Sequence, residues 1–461
     1  MFDATPHAGR IGREISDRDK IGIKDQAATS PSGFAEMPAF HVASPGAIDR
    51  VVVINDFSIA KGGGTALALL SVRLLQKAGI SVTYICGDDG RNPDLQALGV
   101  EVVPLGGNPI LTAKRRRAAI EGLHNTRALE MLARWICAND TARTVYHVHG
   151  WSKILSPAVF AALAPVSQRT ILHAHDFFLA CPNGSFYDYR RETPCGCKPL
   201  ASGCVLRNCD KRNYAQKLWR VARSGRVRSM LFGPRQDYGR ILLIHEGMAG
   251  DFKQAGYPQE MLHALRNPTV PFQRNRVRAE DNAEFFYVGR LEPEKGVMQA
   301  VAATAAAGVQ LTVIGDGPLR GSLMQIGDGV KMLGWLSHEE IGRAVRGARA
   351  LLMPSRYPEP FGLVAVEAST SGIPVILSHT ACLARDMTAA GIGLACDMAE
   401  PGQLAQAVMT IRDMARDDIR RMSIRAHAGL SRLSTTPEEW RDGLVDQYRS
   451  LIPTVSEDIA C

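Results

Sequence analysis

Short β-branched runs alternate with helix-period segments along most of this chain. DRVVVIND (49–56) is apolar at consecutive positions and ends in polar residues, the mark of a parallel strand covered on both faces. KGGGTALALLSVRLLQKAG follows, with apolar residues at helical spacing and Gly79 as its stop. Further strands are predicted at 81–89, 101–105, 144–150, 169–176 and 241–247, with a helical stretch over 113–137. ALRNPTVPFQRNR (264–276) breaks the rhythm with two prolines and scattered polar residues, which sets a domain boundary there. The alternation resumes with strands at 283–290, 309–317, 330–335, 348–355 and 373–378. Strand alternating with helix predicts an α/β fold with parallel sheets. Two doubly wound, Rossmann-like domains are expected, over 47–270 and 271–434. The segment 435–452 puts Trp440, Leu444 and Tyr448 on one helical face, so it is expected to pack back on the body. Residues 453–461 read as a tail, and residues 1–46, polar and without a sustained period, are expected to be disordered.

Composition narrows the picture. At 461 residues the chain exceeds one ordinary core, and 46% apolar with 22% charged residues fits a folded protein. No apolar run approaches the ~20 residues that span a bilayer, and the start lacks an apolar h-region, so a cytoplasmic protein is expected. Fifty-four Lys and Arg against 46 Asp and Glu leave a net charge of +8. Much of that excess lies in KRRR (114–117) and KLWRVARSGRVR (217–228). Such runs are usually solvated helix faces; the alternative is an anionic membrane surface or a phosphate-bearing partner. The absence of interleaved aromatics argues against nucleic acid.

Three features fall at the carboxyl ends of predicted strands, where open α/β sheets bind ligands. In KGGGT (61–65), adjacent glycines before a helix let backbone amides, at Gly63 and Gly64 above all, approach a phosphate. This is not the dinucleotide fingerprint, because position 67 is Leu; Asp88 keeps a nicotinamide-dependent oxidoreductase as an alternative. In YVGRLEPEKG (287–296), Arg290 offers a planar fork and Lys295 a compact charge, a pair suited to a diphosphate. In YPEPFGLVAVE (357–367), a helix starting at Gly362 would offer the amides of Gly362 and Leu363 to an anion, with Glu359 above and Glu367 below.

Together these residues resemble the glycosyltransferase family 4 group, retaining enzymes of GT-B fold that use nucleotide sugars. The resemblance runs from about residue 50 to 452 and is most specific in GRLEPEKG, IGDGPL, LGW and PEPFGLVAVE. It implies that Glu359 contacts the donor sugar and Glu367 the ribose hydroxyls. Arg290 and Lys295 would hold the diphosphate, beside Phe361, Gly362 and Leu363. Gly334 and Trp335 would lie where the base is read. HAHD (173–176) matches the family's HD element, placing His175 near the donor sugar with Asp176 behind it, while His149 is a looser candidate for the acceptor side. HTACLARD (379–386) departs from the Gly-Gly-x-x-E stretch common in the family. The resemblance implies a UDP- or GDP-sugar donor, a glycan or lipid-linked acceptor, and no metal needed for catalysis. A catalytically idle GT-B binding protein is the second alternative.

Five cysteines crowd into residues 181–210. Cys195, Cys197, Cys204 and Cys209 could ligate a structural zinc or an iron–sulfur centre, although the C-x-C spacing is tighter than zinc usually takes.

Overall fold

The computed structural model describes residues 48–60, 62–233, 237–429 and 433–453, all inside one compact unit, Pro45–Cys461. The expectation for residues 1–46, and most of the 453–461 tail, lies outside the described residues. The N-terminal lobe carries β1 (Arg50–Asn55), β2 (Ser81–Cys86), β3 (Glu101–Pro104), β4 (Thr144–Val148) and β5 (Thr170–Ala174). A small antiparallel pair follows, β6 (Tyr187–Asp188) with β7 (Thr193–Pro194), then β8 (Arg240–Leu243) and β9 (Leu262–Ala264). The C-terminal lobe carries β10 (Glu284–Val288), β11 (Leu311–Ile314), β12 (Val330–Gly334), β13 (Ala348–Met353), β14 (Val375–Ser378) and β15 (Gly393–Cys396). The first sheet runs β3-β2-β1-β4-β5-β8-β9 and the second β12-β11-β10-β13-β14-β15, with parallel pairing throughout.

Each sheet reverses its winding once, between β1 and β4 and between β10 and β13. Chains leaving neighbouring strands at such a reversal turn to opposite faces and open a crevice at the carboxyl edge. Helices covering both faces explain why β1 is apolar at every central position: Val51 through Ile54 have no exposed surface.

Two local differences from the sequence reading have clear causes. The expected helix over 113–137 is two helices, Arg115–Leu123 and Thr126–Asn139, because Asn125 is extended and its side chain accepts from the Ala128 amide as a cap. Strands β9 and β15 were not anticipated, since three or four residues carry too little period to register.

The two segments that cross between lobes lie side by side, with the Thr269 amide donating to the Thr435 carbonyl at 3.0 Å. Beyond that crossing, helix Pro437–Arg449 opens on a Thr436–Glu439 capping box and buries Trp440, Leu444 and Tyr448 in the N-terminal core with Val51 and Val53. A second apolar cluster is continuous from Val52 and Ile54 in one lobe to Met353 and Phe361 in the other.

Arg276 enters the C-terminal lobe and binds Glu280 through two contacts of 2.8 and 2.7 Å, while donating to Ser423 at 2.7 Å. The Glu280 side chain is 1% exposed, and Arg276 draws its carboxyl down to about 2 from an ordinary 4.5. A carboxylate depressed on folding stabilises fully above its unfolded value and loses that contribution as pH falls toward the folded one. Glu280→Gln should therefore cost about 2–3 kcal/mol at neutral pH and flatten the stability loss between roughly pH 4.5 and 2. Urea titrations of both proteins across that range check it.

Candidate active site

Loops that follow β1, β4, β5, β10 and β13 line one cavity of ≈ 660 Å³. Two helices begin at its wall, Gly63–Lys77 and Leu363–Thr370. Neither has a capping side chain or an acid in its first turn. Both mouths therefore present amide hydrogens and the positive end of the helix dipole to the cavity. Gly362, the N-cap of the second helix, sits at φ 81°, where a side chain would be strained. Gly64 packs against the His175 ring so closely that a Cβ there would lie 3.3 Å from it.

Lys295 and Glu359 meet in this cavity. The lysine ammonium lies 2.8 Å from the carboxylate and 2.6 Å from the Tyr357 hydroxyl, and Ser355 donates to the same carboxylate at 2.9 Å. The two side chains are only 18% and 13% exposed. Burial pushes the Glu359 carboxyl up, but Lys295 beside it, with Tyr357 and Ser355, brings it below the ordinary value. The Glu359 carboxylate is therefore ionised at neutral pH. The contact requires the loops after β10 and β13 to touch, and Gly296 permits this: at φ +75°, its Cβ would fall 1.9 Å from the Pro354 carbonyl oxygen.

The structure gathers most of the residues singled out in the sequence. Gly63, Gly64, His175, Arg290, Lys295, Glu359, Phe361, Gly362 and Leu363 all line the cavity, as do His149 and Asp176. Arg290 is the most loosely held, its guanidinium 67% exposed and 2.9 Å from Glu292. Asp176 accepts from the Phe178 amide at 2.9 Å and keeps its own surface exposed at the cavity wall. Glu367, Gly334 and Trp335 do not reach the cavity wall. Glu367 instead lies 3.6 Å from His338, whose pKa it raises, and Trp335 is 74% exposed. Asp88 is occupied away from the cavity by the Ser58 amide and hydroxyl, at 2.8 and 3.1 Å.

Ser355 and Tyr357 escaped the sequence reading. Their only signal was proximity: they lie four and two residues before Glu359 in the same loop.

Among the described residues, no three sulfurs of Cys195, Cys197, Cys204 and Cys209 lie within 4.8 Å of one another, although burial and the neighbouring Cys195 and Cys204 together raise the Cys197 thiol. The buried ammonium of Lys217 stands where a cation would, donating to the Cys204 sulfur at 3.4 Å. Burial would lower the Lys217 pKa, but Cys204 and Cys209 hold it above the ordinary value. The insertion instead reaches the C-terminal lobe, through Glu192 to Arg356 at 2.7 Å and Lys211 to Glu294 at 2.8 Å.

Comparison with known proteins accords with this geometry. Residues 270–427 match the family described as Glycosyl transferases group 1. The chain is 30% identical over 297 residues to glycogen synthase of Mycobacterium tuberculosis, covering 59% of this chain and 66% of that protein, just under two thirds of its length. Among solved structures, sucrose-phosphate synthase of Thermosynechococcus elongatus superposes with a TM-score of 0.63 at 17% identity, covering 87% of this chain and 99% of that one. Anabaena HepE in complex with UDP and glucose superposes with a TM-score of 0.58 at 15% identity, with coverages of 87% and 99%. The fold is GT-B.

Gly296→Ala should lower stability by about 3 kcal/mol, from left-handed strain plus a clash with backbone oxygen, and should separate Lys295 from Glu359. Urea midpoints and a crystal structure of the variant report both effects.

Proposed function

We propose that this protein is a retaining glycosyltransferase that moves a sugar from a UDP- or GDP-sugar to a glycan or lipid-linked saccharide. Assembly of a surface polysaccharide is the setting that such an acceptor suits. The observation that carries the reading is the Lys295–Glu359 pair, held in one cavity beside two uncapped helix mouths. A nucleoside diphosphate needs cations and amide donors for its charge, and a sugar needs hydroxyl acceptors. The cavity offers Arg290 and Lys295 for the first and Glu359 for the second. The solved Anabaena relative of the fold, bound to UDP and glucose, supports a ligand of this class.

In the proposed reaction the bond from the anomeric carbon to the diphosphate oxygen breaks. An acceptor hydroxyl bonds to the same face, and its proton passes to a diphosphate oxygen. Lys295, Arg290 and the amides at Leu363 stabilise the charge that builds on the departing group. His175 borders the donor sugar from the opposite lobe. In this reading Glu367, 3.6 Å from His338 and outside the cavity wall, would meet the ribose hydroxyls rather than the reacting carbon.

The surface near helix Arg115–Leu123 supports peripheral contact with an anionic membrane carrying the acceptor. Lys114 and Arg115–Arg117 crowd the positive end of that helix, which has no capping side chain and no acid in its first turn. Cations there oppose the dipole, and Glu121 offsets only Arg117 among them, at 2.7 Å. Leu111 and Ile120 flank them, 68% and 69% exposed. Basic residues beside exposed apolar ones suit an anionic lipid headgroup layer.

Lys295→Ala should lower kcat about 10²–10³-fold with the fold retained, and UDP or GDP should raise the melting temperature of the wild type. A panel of nucleotide sugars assayed for released nucleoside diphosphate tests the assignment, and turnover unaffected by Lys295→Ala would defeat it. Cosedimentation with phosphatidylserine vesicles should be lost in the Arg115→Glu/Arg116→Glu double variant and weaken in high salt. Equal sedimentation of the two proteins would refute the membrane contact.

A further inference from the structure

The cysteine-rich insertion carries a second concavity that the proposed chemistry does not use. Residues 181–212 hold six Lys and Arg against three acids, and each acid is already committed. The buried Asp188 carboxylate accepts from the Arg190 and Arg191 amides at 3.0 and 3.2 Å. Glu192 meets Arg356 across the lobes at 2.7 Å, and Asp210 meets Arg220 at 2.9 Å.

Three guanidiniums are left together. Arg190, Arg191 and Arg207 line an open pocket of ≈ 500 Å³, and among the described residues none of the three is ion-paired to a carboxylate. Arg190 gives one N–H to the Arg212 carbonyl, which leaves the rest of its fork. Arg207 lies beside the Cys195 and Cys197 sulfurs, but burial and Cys195 push the Cys197 thiol up, so it stays neutral. Like charges gathered without a partner repel, and with Arg190 and Arg191 exposed, packing supplies no compensating gain.

The arginines are held in place by their backbone. Strands β6 and β7 pair Tyr187 with Pro194 and Asp188 with Thr193, and the turn between them closes at Glu192 with φ 57°. Asp188, by binding both amides, fixes the chain from which Arg190 and Arg191 leave. The Tyr214 hydroxyl donates to the Val205 carbonyl at 3.0 Å, which ties the short helix before Arg207 to helix Tyr214–Leu231.

A guanidinium fork takes phosphate oxygens two at a time. Three forks around one pocket match a terminal phosphate, with up to about two negative charges and three acceptor oxygens, better than a singly charged carboxylate. Leu206 lines the same pocket and is 75% exposed, apolar surface of the kind a lipid chain covers. The pocket shares no lining residue with the reaction cavity, although Tyr189, next to Arg190 in the chain, lines that cavity.

We propose that Arg190, Arg191 and Arg207 form a binding site for a terminal phosphate or diphosphate group, separate from the sugar-nucleotide cavity. A lipid phosphate and a free phosphate ester present the same chemistry to it. Calorimetric titration of inorganic pyrophosphate into the full chain, into Arg191→Gln/Arg207→Gln and into Lys295→Ala separates the two sites. Affinity at the arginine site should fall about 10²-fold in the double variant, the loss of two charge-assisted contacts, and persist in Lys295→Ala. The double variant should keep the wild-type melting temperature. Sedimentation with phosphatidylcholine vesicles carrying phosphatidic acid, against vesicles of equal surface charge carrying phosphatidylserine, distinguishes the sources. A preference for phosphatidic acid that the double variant loses marks a lipid phosphate; pyrophosphate binding without that preference marks a free ester. Binding of both probes unchanged by the double variant, pyrophosphate binding lost entirely in Lys295→Ala, or wild-type binding of neither probe would overturn the site. Absence of transfer from every nucleotide sugar would overturn the proposed function and leave this binding result standing.

Discussion

Burying an ammonium and a carboxylate is expensive unless each finds the other and the remaining hydrogen-bonding positions are filled. Lys295 and Glu359 meet that condition with Tyr357 and Ser355 as additional partners. The pair fixes two loops from different strands, after β10 and β13, in a single arrangement. Gly296 under the Pro354 carbonyl makes the approach sterically feasible. A cation held in one arrangement needs no rearrangement to meet an arriving anion.

The relation between the lobes has a different origin. The ion pairs from the cysteine-rich insertion, Glu192–Arg356 and Lys211–Glu294, each have one partner more than half exposed and contribute little on that account. The apolar cluster running from Val52 to Phe361 is the larger constraint, because it cannot be parted without exposing core surface. Helix Pro437–Arg449 adds to it by returning to the first lobe and burying Trp440, Leu444 and Tyr448. That helix also touches His147, through Tyr448.

The two walls of the cavity differ in kind. The C-terminal wall is charged, with Arg290, Lys295 and Glu359. The N-terminal wall offers His149 and His175, which burial keeps neutral, and a glycine loop without side chains. Lys153 and Asp176 add ionisable groups on the N-terminal side as well.

Much of the architecture could be read along the chain, because its causes are local. A strand covered on both faces must be apolar at successive positions, as Val51–Ile54 are, and a reversal of winding places the following loops at the carboxyl edge. Lys295, Glu359 and Gly362 were legible for the same reason: charge and glycine at a strand end or helix start signal a site within a few residues. The sequence could not show that His149 would bond His175, 26 positions away, because that pairing depends on β4 and β5 being neighbours. Nor could it show that Lys217 would occupy the space among the cysteines, or that Glu367 would turn to His338 outside the cavity wall. Those choices were made by packing, which brings together side chains whose separation along the chain carries no information about their distance in space.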